Sequence, residues 1–144
     1  FGWMSKQLGT VFIRRDSPRH AREVAALMAE VLKTESICIF PEGTSTTGET
    51  ILPFKPNLFE SAIVSQVLVH PLTIRYLSKT TRDRSDAPAF IGDMGLLESM
   101  SNIINNRALV AEITILSPCA DNLNPAIDRK QLALYCQESI SKTL

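Results

Sequence analysis

The sequence is 144 residues long, 44% hydrophobic and 21% charged, and its 15 basic side chains balance its 15 acidic ones. That length suits one domain, which buries roughly two thirds of the surface its unfolded chain exposes and needs no disulfide staples. Zero net charge excludes bulk electrostatic attraction to nucleic acid or anionic lipid as the basis of function.

In chain order, Val11-Phe12-Ile13, led by Gly9 and closed by Arg14 and Arg15, is a short β-prone run of the buried-strand kind. Ser17 suits a helix cap and Pro18 a first helical turn. Ala21, Val24, Ala25, Leu27, Met28, Val31 and Leu32 then recur at helical spacing and predict an amphipathic helix packed on a sheet. His20, among charged neighbours on that helix, reads as a surface residue. Ser36-Ile37-Cys38-Ile39-Phe40 is a second predicted buried strand, in which Cys38 reads as a small core residue rather than a nucleophile. Pro41 stops it, and a polar, glycine-containing stretch runs from Glu42 to Thr50.

Pro56 opens a predicted short helix through Leu58, Phe59, Ala62 and Ile63. Val67-Leu68-Val69 and Leu72-Thr73-Ile74 read as a strand interrupted by Pro71, which argues for an edge or a bend; His70 is then a strand residue rather than a base. The charged, aperiodic stretch from Ser78 to Pro88 is a predicted surface loop. Leu96, Leu97, Met100, Ile103 and Ile104 form another helical stripe, Leu109 to Leu116 a strand, and Leu132, Tyr135, Cys136 and Ile140 a closing helix. This alternation predicts an α/β fold, a mixed and largely parallel sheet covered by helices, in a single domain spanning 1–144 without repeat or linker.

Cys38, Cys119 and Cys136 are odd in number and lack CxxC spacing, so neither a disulfide framework nor a zinc site is expected, and no metal is implied. A reducing, intracellular setting is the default expectation. No apolar run approaches the ~20 residues a bilayer span requires, and no basic-then-apolar leader opens the chain, so any membrane attachment is expected to be peripheral. Phe1-Gly2-Trp3-Met4 reads like mid-chain text, so an N-terminally truncated fragment is expected; Phe1, Trp3 and Met4 suit either packing on the sheet or contact with lipid.

The chemistry concentrates in Phe40-Pro41-Glu42-Gly43-Thr44, after a predicted strand, and in Gly9-Thr10-Val11-Phe12-Ile13-Arg14-Arg15, about one βα unit earlier. In open α/β sheets ligands collect beyond the carboxyl ends of strands. A loop there with a carboxylate, a glycine and several hydroxyls offers backbone N–H groups and side-chain donors to an anionic head group. Arg15, past the other strand, is a natural fork for phosphate, whereas Arg14 reads as a solvated charge. A nucleotide loop is the rival reading, because Gly43-Thr44-Ser45-Thr46-Thr47-Gly48-Glu49-Thr50 echoes G-x-x-x-x-G-K-[ST]. Glu49 reverses the charge where the lysine belongs, and Leu52-Pro53 blocks the helix that should follow. No G-x-S-x-G elbow exists for a serine hydrolase.

These words resemble two blocks of the glycerolipid acyltransferases, G-x-x-F-I-x-R and F-P-E-G-T-R-S. Gly9, Phe12, Ile13 and Arg15 match the first, and Phe40 to Thr44 match the second up to its arginine, where Ser45 stands. Val69-His70-Pro71-Leu72-Thr73-Ile74 is similar to the family's proline-centred strand, Leu52-Pro53-Phe54-Lys55 to its L-P-F-K segment, and Phe90-Ile91-Gly92-Asp93-Met94 to a Gly-Asp-Met stretch of bacterial members.

The resemblance implies transfer of an acyl group from acyl-CoA or acyl carrier protein, as co-substrate, to the hydroxyl of a lysolipid at the cytoplasmic face of a membrane, in membrane-lipid synthesis. It implies a substrate-binding set of Arg15, Glu42, Gly43, Thr44, Ser45 and Lys55, with Arg15 and Lys55 on the acceptor's polar head. The family's catalytic block, H-x-x-x-x-D, is expected upstream of Gly9: Ala25 stands five places after His20 and Arg75 five places after His70, so neither substitutes for it. The fragment alone is therefore expected to be inactive. Ser45 and the hydroxyls after it resemble the ornithine-lipid subgroup and weaken the expectation of a lysophosphatidate acceptor. A non-catalytic module that binds lipid head groups is the alternative.

Overall fold

A computed structural model describes residues 10, 18–119 and 127–143. The predicted strand at 11–13, Arg14, Arg15 and the cap Ser17 lie outside the described residues.

Helix α1 (Pro18–Val31) starts on its proline, whose missing N–H is one the first turn leaves unbonded in any case. Among the helix residues whose burial is described, Val24 and Met28, one turn apart, are buried, while Leu27 of the predicted stripe is exposed. A single 3₁₀ turn (Pro56–Phe59) runs directly into α2 (Glu60–Ser65), again opening on proline. Gln66 closes α2 in the left-handed conformation, at φ 51°, and its N–H caps the carbonyls of Ala62 and Ile63. Both short helices pack against α1, and α4 (Arg129–Ser141) packs against the 3₁₀ turn.

Helix α4 carries a complete capping box. The Asp128 carboxylate accepts from the backbone N–H of Lys130 and Gln131 at 2.7 and 2.8 Å, and the Gln131 side chain accepts from Asp128 N–H at 2.9 Å. Leu132, Ala133 and Cys136 face inward and join Phe54, Phe59, Ala62 and Cys119 in the main core. An Arg129–Glu60 pair at 2.9 Å bridges α4 to the start of α2.

Strands β1 (Leu72–Ser78) and β2 (Leu109–Ile115) pair antiparallel, Leu72 opposite Ile115 and Ser78 opposite Leu109. Pro71 stands at the strand boundary, where its lack of an N–H does least harm; beyond it Val69 bridges to Cys119. Arg75 lies opposite Glu112 and pairs with it at 2.5 Å, and Arg82 reaches the other carboxylate oxygen at 2.6 Å. Hydrogen bonds from Arg75 and then Arg82 hold the Glu112 carboxyl below its ordinary range.

The architecture mixes helix and strand as the sequence predicts, but the pairing described is antiparallel, and a largely parallel sheet is not found among the described residues. The run 36–40 takes no regular secondary structure and joins no ladder there, Cys38 is exposed, and Phe40 is 73% exposed. A β-prone run becomes a strand only where a neighbour supplies hydrogen-bonding partners. The same holds for α3 (Leu96–Asn105): its predicted apolar stripe is exposed, with Leu97 at 77% and Ile104 at 71%, and Ser99 is its buried residue.

Candidate functional site

Residues 40–43 form a β-turn, with Pro41 in the position its fixed φ favours and Gly43 N–H donating to Phe40 C=O at 3.1 Å. Gly43 has φ +69°, a conformation glycine adopts without steric cost. The turn sends the chain into an excursion that closes on itself: Glu42 Oε2 accepts from Leu52 N–H at 2.9 Å, and Lys55 N–H donates to Pro41 C=O at 2.9 Å. Inside it, Thr46 Oγ1 accepts from Gly48 N–H at 3.1 Å, and Gly48 is left-handed at φ +78°. The loop is seated on the core through Phe54, whose N–H donates to Gln137 of α4 at 3.1 Å and whose ring stacks on Phe59 with centroids 6.3 Å apart.

This glutamate loop forms one lip of a cleft of about 880 Å³. The interior is lined by apolar side chains that include Met28, Ile39, Phe54, Leu58 and Val69. The lip carries Glu42 and the hydroxyls of Thr44, Ser45, Thr46 and Thr47. Ser85, Pro88, Ala89 and Phe90, from the chain after β1, form the facing lip, and exposed His70 also lines the cleft. Such a shape holds an apolar body inside and a polar end at the rim.

The two lips touch. Ser45 Oγ donates to Phe90 C=O. The Arg84 guanidinium pairs with Glu49 at 2.8 Å and Asp86 at 3.2 Å, and donates to Thr47 C=O at 3.5 Å.

Of the residues singled out from sequence, Glu42, Thr44 and Ser45 line the cleft mouth. Gly43 and Lys55 sit together beside it, the lysine side chain lying over the glycine. Arg15 lies outside the described residues. Arg84 was not singled out, because nothing periodic marks it within its charged loop; Phe90 opens the Phe90-Ile91-Gly92-Asp93-Met94 word, which did carry a signal. Among the described residues no group of three or more metal-ligating side chains occurs, and no helix is long and apolar enough to cross a membrane.

The family model described as Acyltransferase matches residues 1–75, the stretch holding both motif words and the loop from Glu42 to Lys55. The chain belongs to the acyltransferase family. Within that family it is 34% identical over 144 aligned residues to a lyso-ornithine lipid O-acyltransferase of Pseudomonas aeruginosa, covering 99% of this chain and 54% of the relative. A protein of the same description from Rhodobacter capsulatus is 31% identical over 96% of this chain and 51% of its own length. A 1-acyl-sn-glycerol-3-phosphate acyltransferase of Neisseria gonorrhoeae is 31% identical over 96% of this chain and 53% of its own length. The chain thus spans about half the length of the curated relatives it matches. No solved structure matches it.

Proposed function

We propose that the protein transfers an acyl group from a thioester donor, acyl-CoA or acyl carrier protein, to the free hydroxyl of a lysolipid. The observation that carries this reading is the placement of the acyltransferase family's glutamate loop at the mouth of an apolar cleft, with its hydroxyls at the rim. The acceptor hydroxyl attacks the thioester carbonyl, and the tetrahedral adduct collapses with loss of the thiol. Proton removal from that hydroxyl needs a general base, which we assign to an H-x-x-x-x-D histidine of the full gene product.

In this reading the cleft interior takes hydrocarbon. Glu42 closes the loop through Leu52 and shapes the rim, Thr44 and Ser45 offer hydrogen bonds to the acceptor's head, and Lys55 and Arg15 supply positive charge to its acidic part. Gly43 lets the lysine pass close to the turn. The complete enzyme holds a mixed, largely parallel sheet covered by helices and works peripherally on the cytoplasmic surface of a membrane, where its acceptor resides. The relatives' descriptions point to two acceptors, lyso-ornithine lipid and 1-acylglycerol-3-phosphate.

The test is thioester-dependent acylation of a lysolipid panel containing both acceptors by the full gene product and by residues 1–144 alone. Acylation by the full product identifies the acceptor. Lipid binding without acyl transfer by either protein would replace this reading with that of a head-group binding module.

A further inference from the structure

The loop after β1 is more ordered than its composition suggests. Ser78 N–H donates to Asp83 C=O at 2.8 Å, Arg82 N–H to Ser78 C=O at 2.9 Å and Ser85 N–H to Tyr76 C=O at 2.8 Å, and Arg84 forms a β-bridge with Leu77. Arg82 turns the chain with a left-handed φ of +63°, uncommon for a residue with a side chain. The backbone of Arg84 is thereby clamped to the end of β1, and its guanidinium projects onto a different part of the chain. There it meets Thr47 C=O and the Glu49 carboxylate, 37 and 35 residues away in sequence, with Asp86 as a third partner. The Ser45–Phe90 hydrogen bond joins the same two segments a few residues further along.

Exposed ion pairs contribute little to global stability, so three contacts between the lips of one cleft have little value as a general staple. Their effect is local: they fix the hydroxyl-bearing segment 44–49 relative to the facing lip. We propose that Arg84 is a positioning residue for the acceptor, a latch that holds the glutamate loop against residues 85–90 and so sets which head group the cleft admits. This rests on the acyltransferase reading and adds to it a residue outside every motif word.

A selectivity follows from charge. Arg84, Glu49 and Asp86 together carry a formal charge of minus one, and loss of the guanidinium leaves two carboxylates at the rim. A phosphate-bearing acceptor then meets more repulsion than a zwitterionic one that carries an amine.

The experiment compares the wild-type full gene product with Arg84→Ala, Arg84→Lys, Glu49→Gln and the Arg84→Ala/Glu49→Gln double variant. Its readouts are KM for each acceptor, KM for the acyl donor, kcat, the melting temperature, and hydrogen exchange of the amides in 44–50. Arg84→Ala is expected to raise the acceptor KM about tenfold, and the lysophosphatidate KM about threefold more than the lyso-ornithine KM. Donor KM and melting temperature should hold, and the loop amides should exchange about tenfold faster. Arg84→Lys, with a compact ammonium in place of the fork, falls between. The double variant is no worse than Arg84→Ala, because both single changes open one latch. Unchanged acceptor KM in folded Arg84→Ala, or donor and acceptor KM rising together with a lower melting temperature, overturns the proposal. A wild-type protein that acylates no lysolipid sinks the acyltransferase reading instead, and the latch is then judged on exchange alone: unchanged amide rates at 44–50 in Arg84→Ala reject it.

Discussion

Lys55 lies across the bare face of Gly43: a Cβ built on the glycine would stand 2.5 Å from the lysine Nζ, 3.0 Å from Cε and 3.2 Å from Cδ. Two independent constraints therefore favour glycine at this position, the space the lysine occupies and the left-handed φ of +69°. In Gly43→Ala the flexible lysine swings aside while the backbone strain remains, at a cost of about 1–2 kcal/mol in stability. If Lys55 holds the acceptor's head, the displaced ammonium should raise the acceptor KM, and Lys55→Ala should raise it to the same extent. The Gly43→Ala/Lys55→Ala double variant should then show the acceptor KM of Lys55→Ala alone; additive effects would mean that the glycine acts by another route.

Glu42 is engaged within the protein before any ligand arrives, because its carboxylate accepts from Leu52 N–H and closes the excursion that holds Thr44 and Ser45. Glu42→Gln keeps an acceptor oxygen for that bond and Glu42→Ala does not. We expect the alanine variant to lose about 1 kcal/mol of stability and the glutamine variant less, read from denaturant midpoints. An alanine variant with the wild-type midpoint would show that the bond does not hold the loop.

The helices and the two paired strands were legible because each carries its own periodicity or its own boundary residue. Pro18 and Pro56 mark helix starts; Pro71, read as an interruption within a strand from Val67 to Ile74, instead directly precedes β1, and of 67–69 only Val69 makes a β-bridge. The glutamate loop was legible for a similar reason, since Pro41 and Gly43 are the residues its turn demands. What depends on a distant partner was not. The run 36–40 has the composition of a strand, but composition does not say what lies beside it, and among the described residues nothing pairs with it. Arg84 acts through Thr47 and Glu49, a pairing that no local spacing encodes. The stripe on α3 shows the complementary failure, a period read correctly whose buried face is not realised among the described residues.

Leu132 is wholly buried at the centre of the core, between α4 and the 3₁₀ turn, whereas Leu134 on the same helix is 55% exposed. Leu132→Ala should cost about 2–5 kcal/mol, the transfer term plus that of the cavity left behind. Leu134→Ala should stay within about 0.5 kcal/mol of wild type. Equilibrium unfolding of the two variants side by side separates them, and similar losses at both positions would contradict this placement of α4.

Cys136 gives the fold a sensitivity to alkali. Burial, with a smaller contribution from neighbouring Cys119, pushes its thiol up from 9.0 to about 12. Below pH 9 the thiol is protonated in both the folded and the unfolded chain, so it adds no pH dependence there. Between pH 9 and 12 the unfolded chain releases a proton that the native state keeps, so stability falls as pH rises through that window. Cys136→Ala removes this contribution, although it lowers stability near neutrality by leaving space in the core. Unfolding free energies measured from pH 8 to 11 should therefore fall less steeply for Cys136→Ala than for the wild type, and equal slopes would show that the thiol is not held neutral by the core.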